Sequence, residues 1–153
     1  MHTISRAILT LGLAAGLCAA ASAQPVKPDP THLPFVPPDN IQWSGTAASP
    51  MQSATIFGDP NKPGPYGILV KWNPGNFSKP HFHNTDRWVY VISGTWWVSA
   101  SDTYDTSKMY PNPAGSVVTD LAGKVHFDGA KDDGALIELV GMGLVTTTQA
   151  EKK

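Results

Sequence analysis

Residues 75–94 read GNFSKPHFHNTDRWVYVISG, placing two histidines one residue apart just ahead of a run of β-formers. Side chains alternate across a strand, so His81 and His83 share one face while Phe82 takes the other. Two neutral imidazoles on one rigid strand make a preorganised half-site for a divalent transition metal such as Fe, Mn, Zn, Cu or Ni. Pro80 stiffens the entry to that strand and is tolerated at its first position. Where a supporting carboxylate would be sought, the chain carries Arg87. Its guanidinium stays protonated and has no lone pair to give a metal. In the following run, Arg87, Val89, Val91 and Ser93 fall on one face, with Trp88, Tyr90 and Ile92 on the other. Both faces are rather apolar, which predicts one lining a pocket and the other packing on the N-terminal arm or a second subunit.

Outward from this segment the chain is a series of short strand-like runs broken by turn signals. SATIFG ends at GDPNKPGP and YGILVKW ends at NPGN; then come KPHFH, RWVYVIS, TWWVSAS, KMYPNPAGSVVTDLAGKVHF, ALIELVG and LVTTTQ. No window sustains apolar residues at helical spacing. The pattern predicts about eight to ten short strands joined by tight turns, in a sandwich or a barrel. Composition agrees: 153 residues suit one domain, and charged residues are 15%, against roughly 25% in an ordinary soluble protein. Gly and Pro number 14 each and Trp five, which favours an all-β chain. A net charge of -1 without a basic cluster gives no footprint for nucleic acid.

The first 23 residues read as a signal peptide: His2 and Arg6 open it, the apolar run AILTLGLAAGLCAAASA follows, and Ala21-Ser22-Ala23 is a cleavage site. The expected mature chain starts at Gln24, in the periplasm or outside the cell, with no membrane segment and no cysteine. Residues 24–40, with Pro at 25, 28, 30, 34, 37 and 38, form an arm expected to run extended. Residues 41–149 form the barrel domain.

Two motifs stand out. The first is G-x5-H-x-H-x3-R-x6-G from Gly75 to Gly94; the second is G-x5-L-x-G-x2-H, placing Gly115, Gly123 and His126. Together they resemble the cupin superfamily (RmlC-like), whose first motif has Glu at the Arg87 position and whose second has Pro at Leu121 and Asn at Ala130. The flanks FGDPNKPGPYGILVKWNPGNFSKPHFH, SDTYD, PAGSVV and GMG look like small secreted bacterial single-domain cupins. The resemblance implies a jelly-roll β-barrel, a double-stranded β-helix, with a metal in its mouth. It implies His81, His83 and His126 as the ligands, and a homodimer as the assembly.

Arg87 leaves three readings of the site. In one, three histidines form a facial triad of the kind cupins use with non-haem Fe(II) in dioxygen chemistry, and Arg87 binds an anionic substrate or a bound oxygen anion. In another, Asp86 or Glu138 replaces the missing carboxylate. In the third, the metal is lost and the pocket persists as a small-ligand or sensing site, since a cation beside M2+ is unfavourable without an anion between them. Arg87 and Glu138 are thus the candidate catalytic residues, on a small and anionic substrate. The expected activity is a dioxygenase-like oxidoreductase, with an isomerase or lyase as a further alternative. Asp128 is a candidate support for His126 or a plain loop residue, and Lys79 either reaches out at the mouth or binds an anion. Trp96 and Trp97 fall on opposite faces, and at least one is expected in the core.

Overall fold

The computed structural model describes residues 29–152; the expected signal peptide and residues 24–28 of the expected arm lie outside the described part. The described residues fall into two units, 29–35 and 36–152. In the first, residues 29–33 make one turn, in which the Asp29 carboxylate accepts from the Thr31 backbone N–H at 2.9 Å. The second opens with a 3-10 turn at Pro38–Asn40, where an extended run was expected. Proline is suited to the first position of such a turn, because its missing N–H has no partner to lose there.

The rest is all-β. Among the described residues the strands are β1 (Met51–Phe57), β2 (Gly64–Trp72), β3 (Asn76–Phe77), β4 (His81–His83), β5 (Arg87–Ser99), β6 (Tyr110–Pro113), β7 (Val117–Asp120), β8 (Phe127–Ala130), β9 (Ala135–Gly143) and β10 (Thr147–Gln149). Eight form one antiparallel sheet with the path β1-β2-β9-β5-β8-β3, while β6 and β7 pair with β5; β10 and β4 make a second ladder. Ten strands fit the expected eight to ten.

RWVYVIS and TWWVSAS, expected as two strands parted at Gly94, form the single strand β5. Gly94 (φ 70°) lies in β5 just past a register shift against β9 between Val91 and Ser93. A Cβ there would fall 2.2 Å from the Gly134 carbonyl oxygen, so only glycine lets the strand bend this close to its neighbour. Before the bend β5 pairs with β7 and β9; beyond it, with β6 and β8. One strand therefore passes from one wall of the barrel to the other.

The alternation expected along β5 holds as far as Ile92, whereas Ser93, expected on the inner face, is exposed past the register shift after Val91. Val89 and Val91 are buried with Ile137 and Leu139 of β9, Tyr66 and Trp72 of β2, and Trp96. Burying each aliphatic side chain contributes roughly 1.5–3 kcal/mol. Trp88, Tyr90 and Ile92 lie on the outer face and remain exposed.

Candidate metal centre

Local pairing brings the three histidines together. β4 runs antiparallel to β10, with His83 opposite Thr147 and His81 opposite Gln149. On its other side His81 and His126 form a two-bond bridge, His81 N–H to His126 O at 2.8 Å and His126 N–H to His81 O at 2.9 Å. The Gly123 N–H donates to the His83 carbonyl at 2.8 Å, and its φ of 69° is the left-handed turn that makes this contact. Both motifs are thus stitched by backbone bonds, and all three histidines are buried.

One potential ligand atom from each of His81, His83 and His126 lies within 4.8 Å of the others. The Nδ1 atoms are already engaged: His81 with the Lys79 carbonyl at 2.7 Å, His83 with the Thr146 carbonyl at 3.2 Å, His126 with the Lys124 carbonyl at 3.2 Å. A carbonyl only accepts, so each Nδ1 carries the proton and each Nε2 keeps its lone pair. His83 Nε2 is fully buried without a hydrogen-bond partner. An orphaned buried acceptor is costly, and a cation among three such nitrogens satisfies it. The donor set fits a divalent transition metal.

Burial pushes the His83 imidazolium down to about 3, with the charge of Arg87 and the neighbouring His81 and His126 acting in the same direction. His81 is also lowered, first by burial. Neither needs to shed a proton near neutrality before binding a metal.

Arg87 does not stand free beside the histidines. It lies opposite Asp120 in the β5–β7 ladder, and its Nε and Nη2 groups both donate to Asp120 Oδ2, the first at 2.7 Å. Asp120 Oδ1 lies 3.2 Å from His126 Nδ1. The carboxylate at the site is therefore Asp120, a position that neither motif marks. The readable signal was TDL in the second motif, whose strand pairs in register with RWV.

The two suggested replacements are elsewhere. Glu138 lies opposite exposed Tyr90 on the outer face of β9, between the inward-facing Ile137 and Leu139. Strand parity turns it away from the histidines. Asp86 accepts the Ala122 backbone N–H at 2.7 Å and ties two turns together. Asp128 is neither a loop residue nor a support for His126: it sits in β8, accepting from Trp96 Nε1 at 2.9 Å and Ser78 Oγ at 2.6 Å. Lys79 Nζ lies 3.7 Å above the Tyr104 ring, beside Glu151.

A cavity of about 700 Å³ opens beside this centre, lined by Trp96, Val98, Val118, Asp120, Lys124 and His126 among others. Its walls are largely apolar, with Asp120 and His126 as the polar groups that join it to the histidine cluster. Trp96 is core and cavity wall at once, while Trp97 lies outside under Lys131, 3.7 Å from its ring.

No protein-family model matches the sequence, and no curated protein matches it either. Solved structures do match in fold. The polyketide cyclase RemF from Streptomyces resistomycificus superposes with a TM-score of 0.64 at 13% identity, covering 78% of this chain and 86% of that one. A sugar phosphate isomerase of the cupin superfamily from Silicibacter pomeroyi gives 0.59 at 20% identity, covering 78% and 83%. An RmlC-like cupin from Shewanella frigidimarina gives 0.56 at 11% identity, covering 71% and 88%. At these identities the likeness concerns the fold, and it agrees with the strand order and the motif spacing: this chain has the cupin fold, an RmlC-like double-stranded β-helix with a buried three-histidine cluster that could hold a metal ion.

Proposed function

We propose that the protein is a metal-dependent cupin enzyme, a dioxygenase-like oxidoreductase acting on a small organic molecule, with iron as the metal. The observation that carries this reading is the orphaned, buried Nε2 of His83 among three imidazoles whose Nδ1 atoms are all engaged. His81, His83 and His126 would hold the ion through Nε2. A divalent metal bound by three protein ligands supplies dioxygen activation or polarisation of a substrate oxygen. The chain's own residues do the rest: backbone carbonyls fix the rings, and the apolar walls of the cavity displace water from a bound substrate.

The substrate we propose is largely apolar with one anionic or enolisable oxygen. Arg87 was the expected anion contact, but Asp120 compensates its charge within the barrel. The remaining cation on the cavity wall is Lys124. We further propose that the protein works in the periplasm or outside the cell, as the N-terminal segment suggests. We also propose a homodimer formed through the outer face of the sheet, where Trp88, Tyr90 and Met142 are each about half exposed.

The test is oxygen uptake by protein loaded anaerobically with Fe(II), against a panel of enols, diketones and phenols, with His81→Ala as the control. Substrate-dependent uptake in the wild type and none in the variant is expected. Conversion of a substrate without oxygen uptake would move the assignment to an isomerase or lyase. Stoichiometric metal with binding but no conversion would leave a sensing cupin. Metal far below one equivalent in both proteins would end the metal reading.

A further inference from the structure

Among the three histidines, only His126 has a carboxylate at its Nδ1. His81 and His83 rely on backbone carbonyls, with the Thr147 hydroxyl 3.1 Å from His83. His126 Nδ1 is hydrogen-bonded to the Lys124 carbonyl at 3.2 Å, and the charged Asp120 Oδ1 lies beside the same nitrogen, also at 3.2 Å. The Asp120 side chain is 6% exposed, and its other oxygen, Oδ2, takes two N–H groups from Arg87, itself 15% exposed. A carboxylate gripped at one oxygen has its second oxygen fixed in place; here that oxygen sits 3.2 Å from an imidazole nitrogen.

We infer that Arg87 and Asp120 form a positioning pair for His126, so that the arginine in the motif's carboxylate position recruits a carboxylate to a ligand's outer nitrogen instead of to the metal. The inference rests on reading the histidines as metal ligands. An anion beside Nδ1 adds to the Lys124 carbonyl in favouring the His126 tautomer with a free Nε2, and makes that nitrogen a stronger donor than its two companions. Arg87 keeps Asp120 from turning to the ion: rotating it inward would strip two charge-assisted hydrogen bonds from a partly buried guanidinium. The pair therefore accounts for how an arginine sits beside a cation site without an external anion between them.

Asp120→Asn separates this role from simple packing. Arg87 still requires an oxygen, so the amide presents O to Arg87 and NH2 to His126, a donor facing a donor. Two measurements are made: Co2+ affinity by competition with a chromophoric chelator, and the His126 tautomer in metal-free protein by long-range 1H–15N correlation. The expected result is an Nδ1–H tautomer in the wild type, a smaller Nδ1–H population in Asp120→Asn, where the Lys124 carbonyl is the acceptor left against the new amide NH2, and a 10–100-fold weaker Co2+ affinity in that variant. Arg87→Lys, which keeps the charge but loses the fork, should fall between the two. An Nε2–H tautomer in metal-free wild type overturns the inference, and does so even if Asp120→Asn fails to fold. Unchanged affinity and tautomer in Asp120→Asn overturn it as well, with the metal reading intact. Wild-type protein that takes up no Co2+ instead defeats the metal reading, and the tautomer spectrum then still decides whether Asp120 sets His126.

Discussion

Arg87 Nε donates to Asp120 Oδ2 across the β5–β7 ladder at 2.7 Å, placing a compensated ion pair inside the barrel next to the histidines. Breaking such a pair leaves one buried charge without its partner, which costs about 3–5 kcal/mol. Arg87→Ala and Asp120→Ala are each expected to destabilise metal-free protein by that order in urea titrations. The joint change to Arg87→Met with Asp120→Leu should cost clearly less than the two single losses together, because no charge is left behind. Additive losses would show that the two residues do not act as a pair.

The buried histidines make stability depend on pH. An unfolded histidine takes up a proton near pH 6.5, whereas His83 in the fold resists it until about 3. Between those values the unfolded chain holds more protons, so stability falls as pH falls, by about 1.4 kcal/mol per pH unit for His83 alone. Its contribution is constant above pH 6.5. Partly exposed Asp59, Asp102 and Asp105 have carboxyls lowered from 3.8 by hydrogen bonds to their neighbours, so they stay ionised in folded and unfolded chain alike above about pH 5. Metal-free protein should therefore lose stability between pH 6.5 and 5, and His83→Gln should flatten that slope. A wild-type curve as flat as the variant's would sink the assignment. Proton competition for the metal at His83 should likewise begin well below the pH 6.5 expected of an ordinary histidine.

Much of the fold was legible because β-structure writes its period into the chain. His81 and His83 share a face, and Val89 and Val91 turn inward against Trp88 and Tyr90, as alternation requires. The glycine and histidine spacings brought His126 to the site without any view of the pairing. What stayed hidden depended on partners distant in sequence. Asp120 looks like any turn-flanking aspartate until the β5–β7 register sets it opposite Arg87. Glu138 could have faced either way, because β9 is apolar on both faces and alternation alone does not say which is inside. Gly94 resembled a strand end, since a glycine at a barrel corner and one in a turn leave the same local mark.

Asp128 tests how the cavity wall is held. Its carboxylate is 8% exposed at the residue level and is filled by Trp96 Nε1 and Ser78 Oγ. Asp128→Ala leaves the indole N–H buried without an acceptor, at about 1–3 kcal/mol. Asp128→Asn keeps an acceptor oxygen for the indole and should cost less. Because Trp96 lines the cavity, the alanine variant is also expected to red-shift tryptophan emission while leaving metal content unchanged. A loss of metal matching the loss of stability would mean that Asp128 supports the histidines after all.

The outer face of the sheet makes the proposed dimer testable without touching the site. Trp88, Tyr90 and Met142 lie on it, with Val117 alongside at 72% exposure. Strand parity separates this face from the histidines, since Trp88 and Arg87 are successive residues of β5. A contiguous aromatic and aliphatic surface of this kind is unfavourable in water and is relieved by association. Light scattering on residues 24–153 should give twice the chain mass. Trp88→Glu, which sets a charge at the centre of the face, should give the single-chain mass with unchanged metal content. A wild type that stays monomeric at high micromolar concentration would remove the dimer, and a Trp88→Glu dimer would move its interface to another surface.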